Sequence, residues 1–234
     1  MTSKPFTSVW TREPRQSKAQ PGLSREQIVR TALELLDAEG AHGLSMRKLG
    51  AKLGAGATSV YWHVVNKDEL MELAFDEVWG EMTLPDPATT GWRDMAAAFA
   101  HDMRAVILRH PWTAGLIGRM PALGPRAISV TMRLRDALER DGFSGHDVDN
   151  ASSTLTSFVF GFTIPEVAWQ SLMEEKRYDQ ESMRAVVASA VAAYPGLRER
   201  IEAQKTDSAE ERREEAFAYG LAAVLDGLEA RPRA

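Results

Sequence analysis

The chain has 234 residues, 44% of them hydrophobic and 26% charged, a composition that can bury a sizeable core and excludes an intrinsically disordered chain. It contains no cysteine, which excludes disulfides, thiol catalysis and cysteine-based zinc or iron–sulfur sites, zinc-finger DNA binding among them. The net charge of −5 is unevenly placed, with ten Lys/Arg against five Asp/Glu in residues 1–67 and 18 against 28 in the remainder, so a positive N-terminal third able to face phosphate is joined to an acidic body.

Residues 1–22 place Lys4, Arg12, Arg15 and Lys18 among Pro, Ser, Thr and Gln without an apolar period, which predicts a disordered basic arm. They lack the apolar core of a signal peptide, and no run of the chain approaches the roughly 20 apolar residues that span a bilayer, so a cytoplasmic protein with no membrane partner is expected. From Ser24 the pattern changes. Ile28, Ala32, Leu35 and Leu36 share one face of a first helix, Ser24 and Gln27 form a capping box at its start, and Gly40 is a left-handed stop. A second, short helix starts at Ser45 and ends at Gly54. A Gly54-Ala55-Gly56 turn leads to a third short helix over Ala57 to Val64, and Asn66 with Glu69 signals the cap of a fourth.

No alternating strand pattern follows the Pro85-Asp86-Pro87 break. A stripe of Trp92, Met95, Phe99, Met103, Val106 and Ile107 ends at Pro111. Pro125 opens a helix that stops at Gly142, and a long apolar segment from about Asp147 to Glu175 carries Pro165, which predicts a kink or a division. Residues 181–193 form an Ala/Val-rich helix, Pro195-Gly196 interrupts, and Ser208 with Glu211 caps a last helix bearing Phe217, Leu221, Val224, Leu225 and Leu228. The expected fold is all-α: a helix-turn-helix domain over 23–68, preceded by the arm, and a larger helical bundle over 69–234.

Two short helices joined by a glycine turn, the first opening on Arg47 and Lys48, make the arrangement that presents a helix to the DNA major groove. The third helix begins with small and hydroxyl residues, Ala57, Thr58 and Ser59, which allow close approach to base edges, followed by Tyr61 and His63; Lys67 lies just beyond and suits a phosphate. Val60 and Trp62 are assigned to the core beneath. His63 reads equally as a packed or phosphate-bonded imidazole.

The segment LSREQIVRTALELLDAEGAHGLSMRKLGAKLGAGATSVYWHVVNKDEL resembles the DNA-binding domain of the tetracycline-repressor family, and the likeness extends more loosely through GWRDMAAAFAHDMRAVILRHP and AFAYGLAAVLDGLEA. The resemblance implies a transcriptional regulator and not an enzyme. It implies a homodimer reading a palindromic operator on double-stranded DNA, most often as a repressor, with a ligand pocket in the C-terminal region. By position Arg47, Thr58, Ser59, Tyr61, His63 and Lys67 match the family's DNA contacts; Lys48 is added from the sequence as a contact to flanking phosphate, and Ala57, at the start of the reading helix, stands where the family can carry a longer polar side chain, which implies a different operator sequence. The pocket would lie among helices of 90–175, which supply Phe99, Met103, Trp112, Met120, Met132, Phe158, Phe162 and Trp169, aromatic and methionine side chains suited to an apolar or aromatic effector. Family members that hold a magnesium-chelated drug place a histidine where this chain reads Leu116-Ile117-Gly118-Arg119, so an organic effector without metal or cofactor is expected. The family pairs two helices of each subunit in a four-helix bundle, which assigns Gly161, Phe217, Gly220, Leu221, Val224 and Leu228 to a dimer interface. The competing enzyme reading rests on His101-Asp102 and His146-Asp147-x-Asp149, neither of which has the spacing of a helical metal-ligand pair.

Overall fold

A computed structural model describes residues 8–12, 23–174, 179–203 and 208–231. Ten α-helices are assigned among them: α1 (Arg25–Gly43), α2 (Met46–Lys52), α3 (Ala57–Tyr61), α4 (Lys67–Trp79), α5 (Trp92–Arg109), α6 (Pro125–Arg140), α7 (His146–Glu174), α8 (Gln180–Val191), α9 (Pro195–Ala203) and α10 (Ala209–Glu229). A 3-10 turn over Pro111–Gly115 follows α5, and the described residues contain no strand.

The helix boundaries follow from local chemistry. At α1 the Ser24 hydroxyl accepts the Gln27 N–H (3.1 Å) and the Gln27 side-chain oxygen accepts the Ser24 N–H (2.9 Å), so two of the orphan donors of the first turn are satisfied reciprocally. Gly40 takes φ +67° and breaks α1 before a last irregular turn. Ser208 and Glu211 repeat the reciprocal cap at α10, and Pro125 occupies the first turn of α6, where no N–H is needed. Two expectations change. Pro165 does not divide α7, which runs as one helix from 146 to 174. Pro195, read as part of an interruption, instead opens α9.

The described chain forms two compact units, Met1–Ser152 and Ser153–Pro232. In the first, Ile28, Ala32 and Leu36 of α1, Leu49 of α2, Val60 of α3 and Leu70, Ala74 and Val78 of α4 are buried to 2% exposure or less. Each large aliphatic side chain so buried contributes about 1.5–3 kcal/mol. The helix α4 packs on α1 and also on α6, so the expected boundary at 68/69 does not coincide with an edge between compact units. The joint with α6 is polar. Asp76 of α4 accepts the N–H groups of Ala127 (3.0 Å) and Arg126 (3.3 Å), capping α6 from outside, and Arg126 and Glu77 form a two-bond guanidinium–carboxylate pair (2.8 and 3.0 Å). Burial holds the Asp76 carboxyl above the usual aspartate range, although these two N–H groups and the Arg126 charge pull the other way.

In the second unit, Phe217 of α10 is fully buried, with its ring centroid 5.3 Å from both Phe158 and Phe162 of α7. Glu166 and Arg213 form an ion pair beside them (3.2 Å).

Within the stretch read as a disordered arm, residues 8–12 differ from expectation. They form a turn held on α4: the Ser8 hydroxyl donates to Glu72 (2.6 Å), the Val9 N–H donates to the same oxygen (3.1 Å), and Arg12 Nη2 donates to both oxygens of Glu69 (2.9 and 3.0 Å). The rest of that arm lies outside the described residues.

Candidate nucleic-acid interface

The α2–α3 hairpin is closed by backbone packing. A Cβ on Gly50 would stand 2.9 Å from the Ala55 carbonyl oxygen and 3.0 Å from the Ala57 nitrogen, so the chain can fold back this tightly only where α2 has no side chain. Gly54, at φ +64°, then turns the backbone into α3. Val60 anchors α3 from below.

The side chains expected to read DNA are placed as follows. Thr58 is exposed, Ala57, Ser59 and His63 are half-buried, and Tyr61 is 47% exposed. Trp62, assigned to the core from sequence, is 60% exposed. Two residues after Val60 it lies about 200° around the helix, on the opposite side from that anchor. Arg47 and Lys48 are exposed on the first turn of α2. Arg47 has no ion-pair partner among the described residues, whereas Lys48 pairs with Glu39 of α1. Lys67 is half-buried, and its ammonium donates to the carbonyl of Ala41 (2.8 Å), tying the start of α4 to the end of α1. These three cations therefore differ: Arg47 is free for an external anion, Lys48 must exchange a partner, and Lys67 already has a structural bond.

The expected effector residues are placed as follows. In the first unit Phe99, Met103 and Trp112 are buried, Met120 is half-buried, and Met132 is 46% exposed. The Trp112 indole donates to Asp37 of α1 (2.8 Å), which also binds His110 Nδ1 (2.7 Å). In the second unit Phe158 and Phe162 pack on Phe217, and Trp169 is 43% exposed. A groove of about 600 Å³ lies elsewhere, between α1, α4 and α6, with Trp10, Val29, Leu73 and Val130 in its wall and none of the expected effector residues.

The residues expected at a dimer interface divide. Phe217, Leu221 and Leu228 are buried within the chain's own core, and Val224 is half-buried. Gly220 serves the same core, since a Cβ there would meet the Phe158 ring at 2.6 Å. Gly161 is exposed with open space around it. The exposed faces are instead built of small residues with two large ones beside them: Ser157, Gly161, Pro165 and Ala168 with Trp169 on α7, and Ala216, Ala223 and Gly227 with Tyr219 on α10. The sequence pointed both to the apolar stripe of α10, which is largely buried, and to glycines at 161 and 227, which lie on the faces that stay open.

Two of the carboxylates that could have supported an enzyme are otherwise engaged. Asp102 accepts the N–H of Thr83 (2.6 Å) and Asp149 pairs with Arg135, whose charge and hydrogen bond hold that carboxyl below the usual range. Among the described residues no group of three His, Asp or Glu side chains is placed to hold a metal ion. Among the described residues no helix is long and apolar enough to cross a membrane.

Comparison with known proteins agrees with this arrangement. Residues 28–74 match the family model of bacterial regulatory proteins of the tetR family, and residues 84–231 match the tetracyclin repressor-like C-terminal domain. The chain belongs to the TetR family. This TetR-family regulator is 38% identical over 209 residues to an HTH-type transcriptional regulator of Saccharopolyspora erythraea, covering 84% of this chain and 86% of that one. It is 30% identical over 226 residues to the HTH-type transcriptional repressor DrrR1 of Streptomyces coeruleorubidus, covering 94% and 83%. Among solved structures it resembles ActR of Streptomyces coelicolor in complex with actinorhodin, with a TM-score of 0.71 and 27% identity, covering 90% of this chain and 97% of ActR. It is thus an all-α, DNA-binding transcriptional regulator and not an enzyme.

Proposed function

We propose that this TetR-family regulator is a cytoplasmic repressor that binds a palindromic operator as a homodimer and is released by a small organic ligand held in its C-terminal region. The observation that carries the DNA half is the outward edge of α2 and α3, where the unpaired guanidinium of Arg47 stands with exposed Thr58 and Tyr61 on a hairpin fixed by backbone packing at Gly50. Ala57 and Ser59 line the same short helix and His63 lies just past its end, and all three approach the base edges, while Lys48 and Lys67 serve the flanking phosphates. Two copies reading successive major grooves would set their α3 helices about 34–36 Å apart.

The open small-residue faces of α7 and α10 support dimerisation, because faces of this kind let two helices approach closely while Trp169 and Tyr219 supply area. Repression follows the sign of DrrR1. An aromatic effector is favoured by the aromatic side chains of the C-terminal region and by the ActR complex, which makes actinorhodin the first compound to try. Linkage requires that operator DNA weaken effector binding by the same factor as the effector weakens DNA binding.

The test is to select duplexes from a random-sequence library with purified protein and to measure the winners by gel shift across a salt series. A palindromic consensus is expected, with Arg47→Ala and Tyr61→Ala each losing tenfold or more in affinity, about 1.4 kcal/mol, at unchanged helicity and dimer content. Weak binding to every fragment that vanishes steeply with salt would overturn the reading and leave a generic basic patch.

A further inference from the structure

The turn over residues 8–12 lies before both regions that match family models, the first of which begins at residue 28. Its contacts converge on a part of the reader. Glu69, in the first turn of α4, is 6% exposed, and its carboxylate gathers three groups. Oε2 accepts the N–H of Val65 (2.9 Å), in the loop that leaves α3; Arg12 Nη2 lies 3.0 Å from that same oxygen and 2.9 Å from Oε1; and Arg25 of α1 reaches Oε1 at 3.4 Å. One turn further along α4, Glu72 holds the turn itself through the Ser8 hydroxyl and the Val9 N–H. Trp10, between these anchors, forms part of the wall of the groove between α1, α4 and α6.

We propose that Ser8 and Arg12 are positioning residues of the DNA reader: the N-terminal turn, anchored on Glu72, delivers the Arg12 guanidinium to Glu69 and so fixes the loop behind α3. A carboxylate this deeply buried needs cations and N–H donors around it to remain in place. Arg12 is the nearer of its two cations. Without it, Glu69 keeps the longer contact to Arg25 and is drawn outward to water, releasing the Val65 N–H that it holds. The recognition helix has five residues and cannot hold its own orientation, so a loosened Val65 reaches DNA affinity directly. The inference rests on the DNA-reading role of α3 proposed above, and its test separates the two.

The first measurement needs no DNA. Amide hydrogen exchange at Val65 is compared in the full chain, in Arg12→Ala and in Ser8→Ala, with far-UV circular dichroism and sedimentation as controls. The expected result is exchange at Val65 faster by roughly tenfold in Arg12→Ala and by less in Ser8→Ala, with helicity and association unchanged. Unchanged exchange at Val65 in Arg12→Ala overturns the proposal, whatever the DNA result. The second measurement is affinity for the selected duplex across salt. A positioning residue lowers affinity by a similar factor at every salt concentration, whereas a phosphate contact also lowers the log–log salt slope by about 1. A parallel loss supports the proposal; a loss with a reduced slope and unaltered Val65 exchange makes Arg12 a phosphate contact and overturns it. In Arg12→Lys, which restores a cation on a shorter stem, both readouts are expected to fall between wild type and alanine. If no duplex is selected at all, the regulator reading fails while the exchange result still decides the role of the turn.

Discussion

Gly50 and Gly220 each mark a place where the chain approaches a helix too closely for a side chain, and they do it against different neighbours. At Gly50 the neighbours are a carbonyl oxygen and an amide nitrogen of the turn before α3. At Gly220 the neighbour is the edge of the Phe158 ring, in the aromatic cluster with Phe162 and Phe217. Backbone fixed by its own hydrogen bonds has nowhere to go, while a phenyl ring can tilt. The α2–α3 hairpin is therefore the brittle region of the two and the aromatic core the compliant one.

The comparison breaks most visibly if the aromatic core is emptied instead of crowded. Phe217→Ala, at a fully buried position between two rings, should destabilise the protein by about 3–5 kcal/mol. Chemical denaturation would read it, and a loss under 1 kcal/mol would mean that the second unit lacks this core. Gly50→Ala is expected to lower stability by about 2 kcal/mol. Its effect on DNA affinity should be larger than its effect on the melting temperature, because the displaced segment is the one that carries α3. The roughly 1 kcal/mol gained when alanine replaces a helical glycine applies at both positions, so the net loss for Gly220→Ala should fall below that of Gly50→Ala because the Phe158 ring can tilt and the backbone at Ala55 cannot. Equal losses at the two glycines would remove the distinction between them. Gly227→Ala sharpens it from the other side: a Cβ there meets nothing within 4 Å in the single chain. Helix propensity should then raise monomer stability by about 0.5–1 kcal/mol, while sedimentation should show weaker dimerisation if this face packs on a second copy.

The smallest expected effect concerns pH. Burial raises the folded-state pKa of Asp76, so the stability this group contributes is fully present below its unfolded value and is lost as pH rises through the folded one. Asp76→Asn should flatten the stability profile above about pH 4, where the unfolded carboxylate titrates. A profile parallel to wild type would show that the carboxyl is not buried in solution.

The parts of this molecule that could be read from its sequence are those decided within a few residues. Ser24 with Gln27, Gly40, Pro125 and Ser208 with Glu211 set helix ends by bonds to their own neighbours, and each was legible. The exposure of the outward edge of α2 and α3 was legible through composition and family resemblance, except at Trp62, which was grouped with Val60 although two residues along a helix turn the side chain to the opposite side. What stayed hidden was decided at long range. The turn over residues 8–12 is held by carboxylates some sixty positions away, with no apolar period to announce it. Gly220, read as a contact with another chain, makes room for Phe158 of its own. Whether an apolar helix stripe faces its own core or a partner is not a local property, and the stripe of Phe217, Leu221 and Leu228 turned inward.

One practical consequence follows from α4, which rests on α1 and α6 at once and receives the N-terminal turn on its outer carboxylates. Anyone building a hybrid sensor by transplanting this hairpin onto a foreign body would be tempted to splice just after residue 68, the boundary expected from sequence. A seam there would leave Glu69 and Glu72 behind and strand Ser8, Val9 and Arg12 opposite strangers. The transplant has the better prospect if it begins upstream of Ser8 and carries α4 together with the α6 surface that Asp76 caps.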